Sequence, residues 1–169
     1  MTFIQGFLVP VPEGNREKYR EMAKSAVPMF EKHGMVRMVE CWADDVPHGE
    51  TTDMYRATKA EDGEIIVFSW VDWGTKEAWQ KAHKAFAEDE EMEGPAEMPF
   101  DGMRMTFAEF DTLGEAGPGG NPAYVQGYVA PVPKADKDAF ADICAAMREV
   151  AIDAGALRAV DSFAPSIAD

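Results

Sequence analysis

The chain has 169 residues, 46% of them hydrophobic, enough for one large domain or two small ones. Its net charge of −15 repels phosphate backbones and anionic lipid surfaces, which argues against nucleic acid and membranes as partners. Residues 112–169 carry 4 Lys+Arg against 8 Asp+Glu, a net of −4, so −11 falls on residues 1–111. Cys41 and Cys144 are the only cysteines and have no metal-ligand spacing, as expected of a reduced, cytoplasmic protein. There is no long apolar run and no basic–apolar leader pattern, so a soluble protein is expected.

Phe3–Val9 is apolar on both alternating faces, which predicts a strand buried on both sides and ended by Pro10 and Pro12. Asn15 is a good cap for a helix over Arg16–His33, with Tyr19, Met22, Ala23, Ala26, Met29 and Phe30 as its apolar stripe and Gly34 as its stop. Met35–Trp42 is expected as the second strand, with Val36, Met38, Glu40 and Trp42 on one face. A polar loop, Ala43–Thr52, follows. Asp53–Lys59 and Glu64–Trp73 look like the arms of a hairpin turning at Ala60–Gly63. Thr75 can cap a helix over Lys76–Glu88, running into the acidic stretch Glu88–Glu93 and the loop Gly94–Gly102. Met103–Phe110 is the last expected strand, and Leu113–Pro122 has linker composition.

After the linker the chain repeats itself. FIQGFLVPVP at Phe3–Pro12 returns as YVQGYVAPVP at Tyr124–Pro133, an offset of 127 − 6 = 121. The second copy is expected to supply a strand (Tyr124–Val129), a helix capped by Asp136 and stopped by Gly155, and a strand (Ala156–Phe163). It then ends without its second half. The expected organisation is a complete unit over 1–112, a linker over 113–122 and a partial βαβ repeat over 123–169. The complete unit reads as α+β, with a ferredoxin-like βαββαβ order. Its helices cover one face of the sheet, so the other apolar face calls for a second sheet. That arrangement is a barrel-like homodimer, or one in which the half copy takes the partner's place.

The segments VPVPEGNREKYREMA, FEKHGMVRMVECWADDVPHG, VFSWVDW and EMPFDGMRM resemble the DUF1428 family, an uncharacterised-domain family. The resemblance covers Met1–Asp111 in full and Tyr124–Asp169 for its first part. It implies a dimeric α+β barrel, a superfamily that includes cofactor-light monooxygenases, haem-handling enzymes, isomerases and proteins without known activity. No cofactor is implied for this chain.

Glu40 is the leading candidate for chemistry. It sits among Val36, Met38 and Trp42, where desolvation raises a carboxyl pKa toward the range of a general acid/base. The alternative is an ion-paired or backbone-bonded buried acid that specifies the dimer, and Arg37 likewise reads as an interface ion-pair partner rather than a substrate clamp. Arg37 recurs as Arg158, Glu40 as Asp161 and Trp42 as Phe163. Trp42, Phe68, Trp70 and Trp73 are candidate pocket walls, or simply core. Asp44 and Asp45 are candidates for the pocket mouth. Together with His48 they hold two acids and a histidine close enough for a metal, but at no metal-motif spacing, and an ordinary turn is the competing reading. His83, one turn beyond Trp79, is a catalytic or haem-ligand candidate or a core-edge histidine. Two functions remain open: a cofactor-independent enzyme on a small apolar molecule, with Glu40 as acid/base, and a non-catalytic binding or stress-related assembly module.

Overall fold

The computed structural model describes residues 2–88 and 97–165. The acidic stretch after Glu88 and the first residues of the following loop lie outside them. The described residues form five strands and four helices: β1 (Phe3–Pro12), α1 (Arg16–Lys32), β2 (Arg37–Trp42), α2 (Met54–Thr58), β3 (Glu64–Asp72), α3 (Lys76–Glu88), β4 (Thr106–Ala116), α4 (Lys137–Asp153) and β5 (Ala159–Phe163). The strands make one sheet in the order β2-β3-β1-β4-β5, with every neighbouring pair antiparallel.

The pleat of β1 sends Phe3, Phe7, Val9 and Val11 to one face. There they meet Val67, Val71 and Trp73, under Tyr19, Met22, Ala23 and Phe30 of α1 and Trp79, Ala82 and Phe86 of α3. Burial of a side chain such as Val67 or Trp73 contributes roughly 1.5–3 kcal/mol. The other face of the sheet carries Ile4, Leu8 and Ile66, which are buried, and Phe68 and Trp70, which are half-buried. Gly127 lies against this face: a Cβ there would stand 2.7 Å from the Phe68 ring.

Pro10 does not end β1, which runs on to Pro12. The carbonyl of Thr2 points to β4 and that of Phe3 to β3, so the even residues of the strand face β4. The β1–β4 ladder stops at Leu8, and the two prolines lack an N–H only where no neighbour asks for one. Asp53–Lys59 is not a hairpin arm. Asp53 accepts from Arg56 N at 2.8 Å, Lys59 closes the turn in the left-handed region, and the residues between form α2. The local cap prevails over an alternating pattern too short to hold a ladder.

Asn15 precedes α1 but does not cap it through its side chain; Nδ2 donates instead to Pro99 O at 2.9 Å. The expected linker begins late, because β4 runs to Ala116 to pair with β5, with a bulge between Thr112 and Gly114.

α4 begins 137 − 16 = 121 residues after α1, ends 121 after it, and is followed by Gly155 at φ 101°, as α1 is by Gly34 at φ 94°. Tyr124–Val129, however, is no strand. β1 is a strand because β3 and β4 flank it. Its sequence copy has neither counterpart within the chain, and extended backbone without ladder partners remains coil.

Candidate functional site

Glu40 lies on β2 directly opposite Ser69 of β3, on the face covered by the helices. Helical spacing brings Tyr19 of α1 over the pair, and its hydroxyl donates to Glu40 Oε2 at 2.8 Å. Ser69 also bonds to the carboxylate. Tyr19 and Ser69 are buried, while Glu40 keeps one side open to solvent. Crowding by protein raises its pKa above the ordinary 4.5, and the bonds from Tyr19 and Ser69 act in the opposite direction. Burial also raises the Tyr19 hydroxyl, with the neighbouring Glu40 charge adding to it. Glu40 is thus an exposed carboxylate whose pKa is raised by the protein around it and which two buried hydroxyls face. Tyr19 had been legible only as part of an apolar stripe; a buried tyrosine needs an acceptor, and that requirement was the available signal.

The other site candidates scatter. Trp42 shares the helix-covered face with Glu40 and lies under the Arg16 guanidinium at 5.3 Å. Trp73 is 1% exposed and packs on Phe30 and Phe86 in the core. Phe68 and Trp70 stack at 5.7 Å. The alternation of β3 puts them on the opposite face, across the sheet from Glu40. Asp44 and Asp45 are exposed in their loop. His48 turns to Asp53 instead of joining them, with Nδ1 at 3.5 Å from Oδ2. Among the described residues no three His, Cys, Asp or Glu side chains gather as a metal site. His83 is exposed and stacks on Trp79 at 5.3 Å.

Two charged clusters emerge that the sequence did not single out. On the face of Phe68, Asp72 is buried, with Oδ2 at 3.6 Å from Arg158 and Oδ1 unpartnered among the described residues. Burial raises its pKa, against the pull of Arg158 and then Arg37. Arg37, the counterpart of Arg158, donates to Gly120 O at 3.3 Å, and Arg158 also bonds Glu115 at 2.6 Å. Arg148 of α4 reaches Asp161 at 2.6 Å and covers Gly114. Of these contacts, Arg158–Asp72 and Arg37–Gly120 fasten residues 114–163 to the residues before them, while Arg158–Glu115 and Arg148–Asp161 hold that stretch together. At the other end of the sheet, Arg104 grips Glu64 with two nitrogens, at 2.6 and 2.7 Å, and Asp101 at 3.0 Å. Arg104 holds Glu64 below its ordinary range. The MPFDG-x-RM segment thus acts as a clasp onto β3.

The better-formed depressions lie away from Glu40. One, of about 540 Å³, opens between the starts of α3 and α4; Lys76 and Lys137 line it, as do Glu77 and Asp111. The other, of about 560 Å³, lies beside α2. No described helix is long and apolar enough to cross a membrane.

Comparison with known proteins places this geometry in a family. The chain is 44% identical over 114 residues to the uncharacterized protein YbaA of Escherichia coli K12, an alignment spanning 67% of this chain and 97% of that protein. The YbaA proteins of Escherichia coli O157:H7 and Shigella flexneri match to the same extent. The family model described as "Protein of unknown function (DUF1428)" matches residues 2–102 and 123–169. The unmatched residues 103–122 take in all of β4 and the segment after it, and the chain belongs to the DUF1428 family.

Proposed function

We propose that this protein is a non-catalytic binding and assembly module in which Glu40 holds α1 onto the sheet. The carrying observation is the engagement of the Glu40 carboxylate by Tyr19 at 2.8 Å and by Ser69, away from either depression. An acid/base poised for a small apolar substrate needs a cavity at its carboxylate. The reading is tested by Glu40→Ala, which strands the buried hydroxyls of Tyr19 and Ser69 without an acceptor. The expected loss is about 1–3 kcal/mol in denaturant unfolding, with Glu40→Gln restoring most of it. A Glu40→Ala protein as stable as the parent would contradict it, since groups kept for catalysis are commonly neutral or costly to stability.

The same reading covers the assembly. The order β2-β3-β1-β4 supports a ferredoxin-like unit, and the shared offset of α1 and α4 supports an internal repeat. β5, the counterpart of β2, sits on the edge of β4, and the copy of β1 passes over Phe68. The half copy thereby occupies the place that a second unit would take in a dimeric α+β barrel. The competing reading, a cofactor-independent enzyme with Glu40 as acid/base, draws on the open side of Glu40 and its raised pKa.

A further inference from the structure

The loop before α2 and α2 itself border an open depression of about 560 Å³, lined by His48, Asp53, Tyr55, Arg56, Lys59 and Ala60. In a chain of net charge −15, this lining carries two fixed cations and a histidine against one carboxylate. That carboxylate is already engaged. The Asp53 side chain is 2% exposed and accepts from Arg56 N at 2.8 Å and Gly49 N at 3.3 Å. It also faces His48 Nδ1, which leaves Nε2 on the far side of a ring that stacks on Tyr55 at 5.2 Å.

Arg56 is held in a fixed pose. Its Nη1 donates to the carbonyls of Gly49 at 2.7 Å and Glu50 at 3.3 Å, and Nη2 is left over on a side chain 52% exposed. Lys59 is the one described non-glycine residue with positive φ, at 52°. Glycine closes a helix in that conformation without steric cost, so a lysine there carries a penalty that a use for its side chain would explain.

We propose that this depression binds a small phosphate-bearing ligand, held by the Arg56 guanidinium, the Lys59 ammonium and the outer nitrogen of His48. A pre-positioned guanidinium presents paired N–H donors to phosphate oxygens, and an ammonium adds a point charge beside it. The site draws on neither Glu40 nor the half copy.

The test is titration of the full-length ¹⁵N-labelled protein with inorganic phosphate at constant pH and ionic strength, followed by amide shifts, with acetate as the control anion. Saturable shifts at His48, Tyr55, Arg56 and Lys59 are expected with phosphate, and weaker ones with acetate. Lys59→Gly relieves the backbone and removes the charge; it is expected to keep or raise Tm while weakening phosphate binding about tenfold. Absence of saturable shifts at these amides would overturn the proposal, and so would phosphate binding undiminished in a folded Lys59→Gly protein.

Discussion

At the scale of single residues, the MPFDGMRM segment is a fastener through Arg104. Arg104 is 17% exposed at its side chain and Glu64 only 6%, so each neutralises a charge the other could not leave in low dielectric alone. Arg104→Met is expected to lower Tm by several degrees at neutral pH. The sign of the pH dependence follows from Glu64. Its folded pKa is depressed, so the stabilisation is present above the ordinary 4.5 and lost as pH falls through the folded value. Thermal unfolding across that acid window should show the loss in the parent and a flatter profile in Arg104→Met. Equal profiles would remove Glu64 as the source. The site was legible in part at this scale. A carboxylate at Glu40 among Val36, Met38 and Trp42 pointed to a perturbed group, and its pKa is raised. The sequence did not disclose which hydroxyls meet it, because Tyr19 and Ser69 come from an adjacent helix and strand. The odd–even alternation of β3 already sets Phe68 and Trp70 apart from Trp73, but only the register with β2 puts Trp42 on the Trp73 face.

At the scale of elements, periodicity and caps were reliable where they agreed. α3 runs over Lys76–Glu88 as its pattern predicts, with Thr75 Oγ1 accepting from Ala78 N at 3.1 Å. They failed where a strand depends on absent neighbours. Tyr124–Pro133 copies β1 almost residue for residue yet forms no ladder, since strand identity resides in pairing as much as in alternation. Gly127 tests what holds this stretch instead. A Cβ there would come within 2.7 Å of the Phe68 ring, so Gly127→Ala should lift the segment from the sheet. Faster hydrogen exchange or proteolysis across residues 117–133, with β1–β3 protection unchanged, is the expected outcome. Unchanged exchange there would mean that the contact with Phe68 does not hold the segment.

At the scale of the whole molecule, the sheet has two apolar faces, and helices pack on one of them. Residues 123–163 reach the other face through Gly127 and the Arg158–Asp72 pair, and the β4 edge through β5 and the Arg158–Glu115 pair. The YbaA relatives align over 97% of their length, and that alignment spans 114 residues of this chain, a length similar to the first unit expected over 1–112. Left without the half copy, that unit exposes an apolar sheet face and an open strand edge, both of which favour self-association. Light scattering on the full chain and on a chain ending at Ala116 tests this most directly. The expected result is a full-length monomer of 18.6 kDa and a shortened chain that dimerises. A full-length dimer, or a shortened chain that stays monomeric and folded, would contradict the claim that the half copy takes the place of a second unit.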